Sequence, residues 1–480
     1  MTKDEIEAII IPILTDMDFF VAENDQTSVY VRFKNAYNQL RLLTVDDETF
    51  VSYVYDAFCA KAEVFIPPPI EGYVKYFQRY AIAHCQENRI ELNRRMAGNL
   101  QNTIGYFLAN DNWQTVVVRS NGWRIGISKH FHFLRMPSDL PQCTPVPGGN
   151  LLQLLHPYVN LNEDSFLLFV IHMVQCFSKT SAHFAMILTS DKGSGKTTTS
   201  KLFRALVDPS KADVNPLSKS EDELKVLLAN NYVVCIDNAN RGISENYSNI
   251  LCSAITGAVE ARRKLYTTSE QVLLTLRNIV IINGLNAVPR KSDLAQRSLI
   301  FELQPIDASL RKSDSAFWAA FNKDKPKILG AIFDTLVKAM NIFPTLKFEK
   351  RHRMASCYEE MVAISLALGI SQTKFDQLLL QNNNRMQELR ADDPFVDAIR
   401  DFMRDKKELT DSVSNVYTAV RDSLVGSSRN FPLSPSAFSR RLNDERESLW
   451  TTGIEFVITD GADTNKLTIV NRNLRRKKRK

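Results

Sequence analysis

The sequence predicts an α/β fold, a sheet of apolar strands alternating with helices. Three observations carry this. Apolar strand-like runs recur at 184–189, 232–236, 278–282 and 299–303, with helical spacing between them. A glycine-rich loop stands between the first of these runs and a helix whose pattern starts near Thr197. The composition, 44% hydrophobic and 24% charged over 480 residues, is that of a globular chain of roughly three domains. Collagen, a long coiled coil and wholesale disorder are excluded.

Taken in order, residues 1–110 read as a mainly helical N-terminal domain, with apolar helical spacing at 5–20, 47–63 and 74–85 and a break at Pro67-Pro68-Pro69. Residues 111–150 hold a small β segment, with alternation at 113–118 and 123–127, and then a Pro-rich connector at 137–149 that marks a domain boundary. Trp113 and Trp123 read as core residues. His130 and His132 lack a third ligand at metal-binding spacing. Residues 151–310 form the nucleotide-binding core, and 311–405 return to helical spacing. Residues 406–470 read as helix, helix and two alternating strands around Asp460-Gly461. With a Ser-capped helix carrying Arg440 and Arg441 as exposed cations, this is the layout of a winged-helix DNA-binding domain. Residues 471–480 are a basic tail.

The formal charge is +6, but that tail alone carries seven basic side chains, so the other 470 residues sum to −1. A nucleic-acid claim must therefore rest on local patches. The seven cysteines are widely spaced and odd in number, which indicates neither a zinc ribbon nor a disulfide framework and fits a reduced setting. No run reaches the ~18 apolar residues of a membrane span. The expectation is a cytoplasmic protein with no membrane partner.

The segment Ser190-Asp191-Lys192-Gly193-Ser194-Gly195-Lys196-Thr197-Thr198 is a phosphate-binding loop, with Ser190 where the pattern has its first glycine. The glycines let backbone N–H groups face phosphate oxygens, Lys196 reaches the terminal phosphates, and Thr197 can ligate magnesium. ATP and Mg2+ are the expected ligands. The strand at 232–236 ends in Asp237, placed to hold the same magnesium, and Asn238 stands where a second acid is usual. A buried strand ending in an Asp-Asn turn would look the same. The strand at 279–282 ends in Asn283, either a turn residue or one that senses the γ-phosphate or orients water.

The order of these motifs, with the run Arg262-Arg263-Lys264-Leu265-Tyr266 and then Arg297 before the last strand, resembles the AAA+ ATPase core of superfamily 3 and poxvirus-type primase-helicases. It looks especially like the related ATP-binding replication proteins of phages, plasmids and mobile islands, and the resemblance covers about 150–370. The resemblance implies a ring, a hexamer, with nucleotide at subunit interfaces and a hairpin in its channel. There Arg262, Arg263, Lys264 and Tyr266 would grip single-stranded DNA, and cations and an aromatic suit that task. It further implies that Arg297 is a finger reaching the neighbouring subunit's ATP, with Arg290 as rival; the plain alternative is an ion pair of Arg297 with Asp293 or Glu302. The activity implied is ATP-dependent DNA unwinding in replication initiation, with duplex DNA at Arg440, Arg441 and the tail, and a loader or primase as partner. A DNA-binding ATPase switch without unwinding is the alternative.

Overall fold

The computed structural model describes every residue except 23–24, 66–67, 85–89, 129, 180–181, 191–192, 240–242, 264–270, 285–286, 290, 307–312, 349–352, 392–393, 425–430, 460–464 and 477–480. The chain opens with α1 (Lys3–Thr15), closed by a capping box in which the Thr2 hydroxyl accepts from Glu5 N–H and the Glu5 carboxylate accepts from Thr2 N–H. An antiparallel sheet follows, β1 (Asp18–Ala22), β2 (Asp25–Lys34) and β3 (Leu40–Thr44), then α2 (Glu48–Ala62) and α3 (Glu71–His84). The N-terminal unit is therefore α+β, not mainly helical. In β2, Val29, Val31 and Phe33 are buried as a strand requires, but Tyr30 between them is buried too and blurs the period of two.

A short β4 (Leu92–Asn93) precedes a four-stranded antiparallel sheet, β5 (Met96–Gly98), β6 (Ile104–Phe107), β7 (Thr115–Arg119) and β8 (Gly122–Gly126), and pairs in parallel with β9 (His132–Phe133). The expected boundary at 110 falls between β6 and β7 and so divides one sheet. That sheet joins two cores. Tyr106, Val116 and Val118 belong to the core of the central unit, whereas Ala97, Phe107 and Trp113 belong to the N-terminal one; successive strand residues point to opposite faces. Both tryptophans pack as expected: Trp113 is buried, and Trp123 Nε1 donates to Asp334 Oδ1 at 2.8 Å. His132 is engaged by Arg32, whose Nη1 lies 3.0 Å from its Nδ1. The Pro-rich segment is not a free connector, because Val146 N–H donates to Pro326 O and Gln142 Nε2 donates to Tyr106 Oη and Leu206 O.

The central unit runs α4 (Leu151–Leu155), α5 (Glu163–Gln175), β10 (Ala185–Thr189), α6 (Lys196–Val207), β11 (Asn215–Pro216), α7 (Glu221–Asn230), β12 (Val233–Asp237), α8 (Glu245–Thr256), β13 (Ala258–Arg263), β14 (Gln271–Leu276), β15 (Ile279–Asn283), α9 (Ser292–Ala295) and β16 (Ser298–Glu302). Five strands form a parallel sheet in the order β11-β12-β15-β10-β16. Every residue of β10 and β15 is buried, which is why these strands read as unbroken apolar runs. β13 and β14 form an antiparallel hairpin outside this sheet. After β16 come α10 (Asp314–Ile342), α11 (Ala355–Ala367) and α12 (Gln372–Ala391), and α12 packs on β16 and α5. The stretch Asp314–Thr345 is long and apolar enough to cross a membrane by length and composition, yet its Ile328, Leu329, Ile332, Phe333 and Leu336 sit in the central core.

The C-terminal unit has its own core, around Phe395, Ile399, Val416, Phe438, Leu442 and Leu467. It comprises α13 (Pro394–Phe402), β17 (Glu408–Ser412), α14 (Val413–Asp422), α15 (Pro435–Asp444), α16 (Arg446–Thr451), β18 (Ile454–Thr459), β19 (Lys466–Asn471) and α17 (Arg472–Arg476), with the sheet order β17-β19-β18. The unit thus starts at 394, not 406, because α13 packs into this core. Its third strand, the polar edge strand β17, carries one apolar residue and no alternation to read. Asn471 is buried in β19, and the Arg472 guanidinium stands 3.3 Å over the Trp450 ring, so the basic tail is anchored where it begins. A buried Arg390–Glu445 ion pair, 3.5 Å, fastens this unit to α12.

Candidate nucleotide site

The phosphate loop joins the carboxyl end of β10 to α6. Gly193 and Gly195 have φ of 83° and 87°, the left-handed region that a side chain disfavours, and Gly195 caps α6 without a side chain. The first-turn N–H groups of α6 therefore face the loop with the positive end of the helix dipole behind them. Lys196 Nζ donates to both the carbonyl and hydroxyl oxygens of Ser190, each at 2.9 Å. Ser190, where the loop departs from the usual glycine, thus holds the lysine over the loop. Ser194 is buried and Thr198 half-buried.

Across the loop, Thr197 Oγ1 donates to Asp237 Oδ1 at 3.1 Å. A hydroxyl and a half-buried carboxylate side by side are the hard oxygen donors that suit Mg2+, which keeps water and phosphate as its other ligands. Among the described residues no group of three or more His, Cys, Asp or Glu gathers elsewhere as a metal site.

Asn238 follows with φ 58°, exposed beside Asp237. Its backbone N–H donates to Asn283 Oδ1 at 3.0 Å, and Asn283 Nδ2 donates to Ser200 Oγ at 3.0 Å. Both polar atoms of Asn283 are committed to the protein and the residue is 2% exposed. There it braces the ends of β12 and β15 against α6. Gly284 completes the brace: a Cβ there would lie 2.8 Å from Ala239 N, whose N–H donates to Asn283 O. Sequence reasoning missed Ser200, although three residues after Thr197 it shares that residue's helical face.

Arg297 lies away from this cluster. The register pairs Ser298 with Ala185 and Glu302 with Thr189, so Arg297 stands at the amino edge of the sheet and the phosphate loop at the carboxyl edge, about 17 Å apart along a five-residue strand. Its Nη2 meets Asp293 Oδ1 at 3.2 Å, and Arg353 bonds the same carboxylate. Burial raises the Asp293 pKa, but the Cys252 thiol and the two guanidinium groups outweigh it and hold the carboxyl below its ordinary value. The rival Arg290 lies outside the described residues.

Of the proposed DNA contacts, 262 and 263 end β13, paired with 272 and 271, while Lys264 and Tyr266 lie outside the described residues. Arg440 is exposed on α15. Arg441 is not: it is half-buried, with its guanidinium 4.9 Å from the Phe395 ring centre, because α13 covers that side of α15. Arg440 also acts on Glu245 at the start of α8, whose carboxyl is held low chiefly by Lys291, bonded at 2.6 Å.

Residues 151–369 match the family model described as actinomycete integrative conjugative element replication protein. No curated protein matches the chain. Among solved structures, the apo A form of the NrS-1 C-terminal region aligns with 96% of this chain and 98% of its own at 11% identity and a TM-score of 0.41. A second apo A-form structure of that region aligns with 98% of this chain and 100% of its own, at 10% identity and a TM-score of 0.36. The segment that holds Lys196, Asp237, Asn283 and Arg297 is thus similar to the replication proteins of mobile genetic elements.

Proposed function

We propose that this chain is an ATP-dependent DNA helicase that assembles as a ring and acts in replication initiation of a mobile element, phage or plasmid. The observation that carries this reading is the Thr197–Asp237 contact of 3.1 Å, set at the carboxyl edge of a parallel sheet beside a glycine loop and a helix N-terminus. The AAA+ reading of the central unit and the winged-helix reading of the C-terminal unit belong to this proposal. The order α13-β17-α14-α15-α16 followed by the β18–β19 hairpin supports the second.

Backbone N–H groups of 193–198 receive the phosphates, and Lys196 moves from Ser190 to the terminal one. Mg2+, held by Thr197 and Asp237, would neutralise charge on the phosphate oxygens. Asn238 stands exposed beside Asp237, and Asn283 behind it senses the γ-phosphate or orients water. Arg297 cannot serve the loop of its own chain from the far edge of the sheet, so it completes a neighbour's site, where a planar cation stabilises charge developing on the transferred phosphoryl group. Hydrolysis around a hexamer shifts the β13–β14 hairpins, whose Arg262, Arg263, Lys264 and Tyr266 draw single-stranded DNA through the channel. Arg440 meets duplex DNA outside it, and a loader or primase is the expected partner.

A DNA-binding ATPase switch is the second reading, favoured by the cavity that Ser292 at the start of α9 shares with Asn443 and Asp444 at the end of α15. Displacement of one strand from a forked duplex separates the two. The helicase reading expects ATP-dependent displacement that Lys196→Ala abolishes. DNA-stimulated hydrolysis without displacement supports the switch, and displacement undiminished in Lys196→Ala contradicts both.

A further inference from the structure

At the amino edge of the central sheet, opposite the phosphate loop, a cavity of about 80 Å³ lies between the N-terminal and central units. Asn93 lines it from the end of β4 and Arg94 from just after it, Lys179 from beyond α5, Asn231 from the end of α7, and Arg277 and Asn278 from the turn before β15. Three cations enter it, and no carboxylate is among its described lining residues.

The described acids nearby are already used. Asp208 accepts from Arg95 Nε at 2.9 Å and from Val233 N–H at 3.1 Å, Asp139 accepts from Met136 N–H at 2.8 Å, and Glu91 pairs with Lys179. Arg94 Nη1 and Arg277 Nε are buried with no hydrogen-bond partner. Shielded donors on charged groups cost free energy unless an acceptor meets them. One acceptor is orphaned as well. Asn278 Nδ2 donates to Leu228 O and Asn231 O, which fixes the amide's orientation and leaves its buried Oδ1 without a donor.

We propose that this cavity binds one phosphate group that keeps a proton, either inorganic phosphate or a phosphate monoester at a nucleic-acid end. Its charged oxygens accept from Arg94, Arg277 and Lys179, and its P–OH donates to Asn278 Oδ1. A carboxylate, sulfate or an internal phosphodiester has no proton to give Asn278 Oδ1. The inference does not depend on the helicase reading.

Crystals of the full chain soaked in arsenate, a protonated isostere with anomalous signal, should show a peak between Arg94 and Arg277, and selenate should not. An arsenate soak that leaves the cavity without a peak, or an equal selenate peak, overturns the proposal. In solution, phosphate should raise the melting temperature more than sulfate at equal ionic strength. That difference should persist in Lys196→Ala, whose phosphate loop is impaired, and vanish in the Arg94→Gln/Arg277→Gln variant; the reverse pattern overturns the proposal. Several-fold tighter binding of a 5′-phosphorylated over a 5′-hydroxyl single strand, lost in that variant, assigns the phosphate to a DNA end. Equal binding alongside the arsenate peak assigns it to the free ion.

Discussion

At the scale of residues, the candidate site divides into groups that face the loop and groups that hold it. Thr197, Asp237 and Lys196 face it, and all three were legible because their chemistry demands those residue types at that spacing. Asn283 was legible as a polar strand end but not as a brace, since its job depends on Ser200 and on the backbone of residue 238, which the sequence does not place beside it. Asn283→Ala strands the partly buried Asn238 N–H and the buried Ser200 hydroxyl, and should cost about 1–3 kcal/mol in urea unfolding. Glu360 could not be read as special at all. Burial raises its pKa to about 7, against hydrogen bonds from Ser178 and Gln175 that lower it. The folded state therefore holds this proton where the unfolded chain releases it, and stability falls as pH rises from about 4.5 to about 7. Unfolding measured against pH should show that decline flattened in Glu360→Gln.

At the scale of elements, α6 is held at both ends. Its first turn carries the phosphate loop; its last carbonyls accept from Tyr106 and Gln142, and Asp208 just beyond it pairs with Arg95. Arg95 is 1% exposed, so Arg95→Ala leaves a buried carboxylate uncompensated and should destabilise the fold by about 3–5 kcal/mol in chemical denaturation, although the residue lies at the other end of α6 from the phosphate loop. The strands β10, β12, β15 and β16 were legible within a residue because they are buried runs. β2 was obscured by burial on both faces, β11 by its length of two residues and its proline, and β17 by its polarity. The membership of α13 was also hidden, because an amphipathic pattern shows that a helix has a partner but not which one.

At the scale of the whole molecule, the +6 charge belongs to the last ten residues, and a near-neutral body suits self-association better than a strongly charged one. The N-terminal and central units share the β5–β8 sheet, a joining that alternation alone does not reveal, since both faces of that sheet are apolar. The separation of Arg297 from the phosphate loop by the length of the central sheet is the large-scale observation on which the proposed function turns: in that reading one chain contributes halves of two different sites. Lys196→Ala and Arg297→Ala should each lack DNA-stimulated ATPase when assayed alone. Mixed in equal amounts, they should recover a substantial fraction of wild-type hydrolysis, because the intact loop of one chain meets the intact arginine of the other. A mixture as inactive as its parents, or an Arg297→Ala protein that hydrolyses ATP like wild type, would contradict the account.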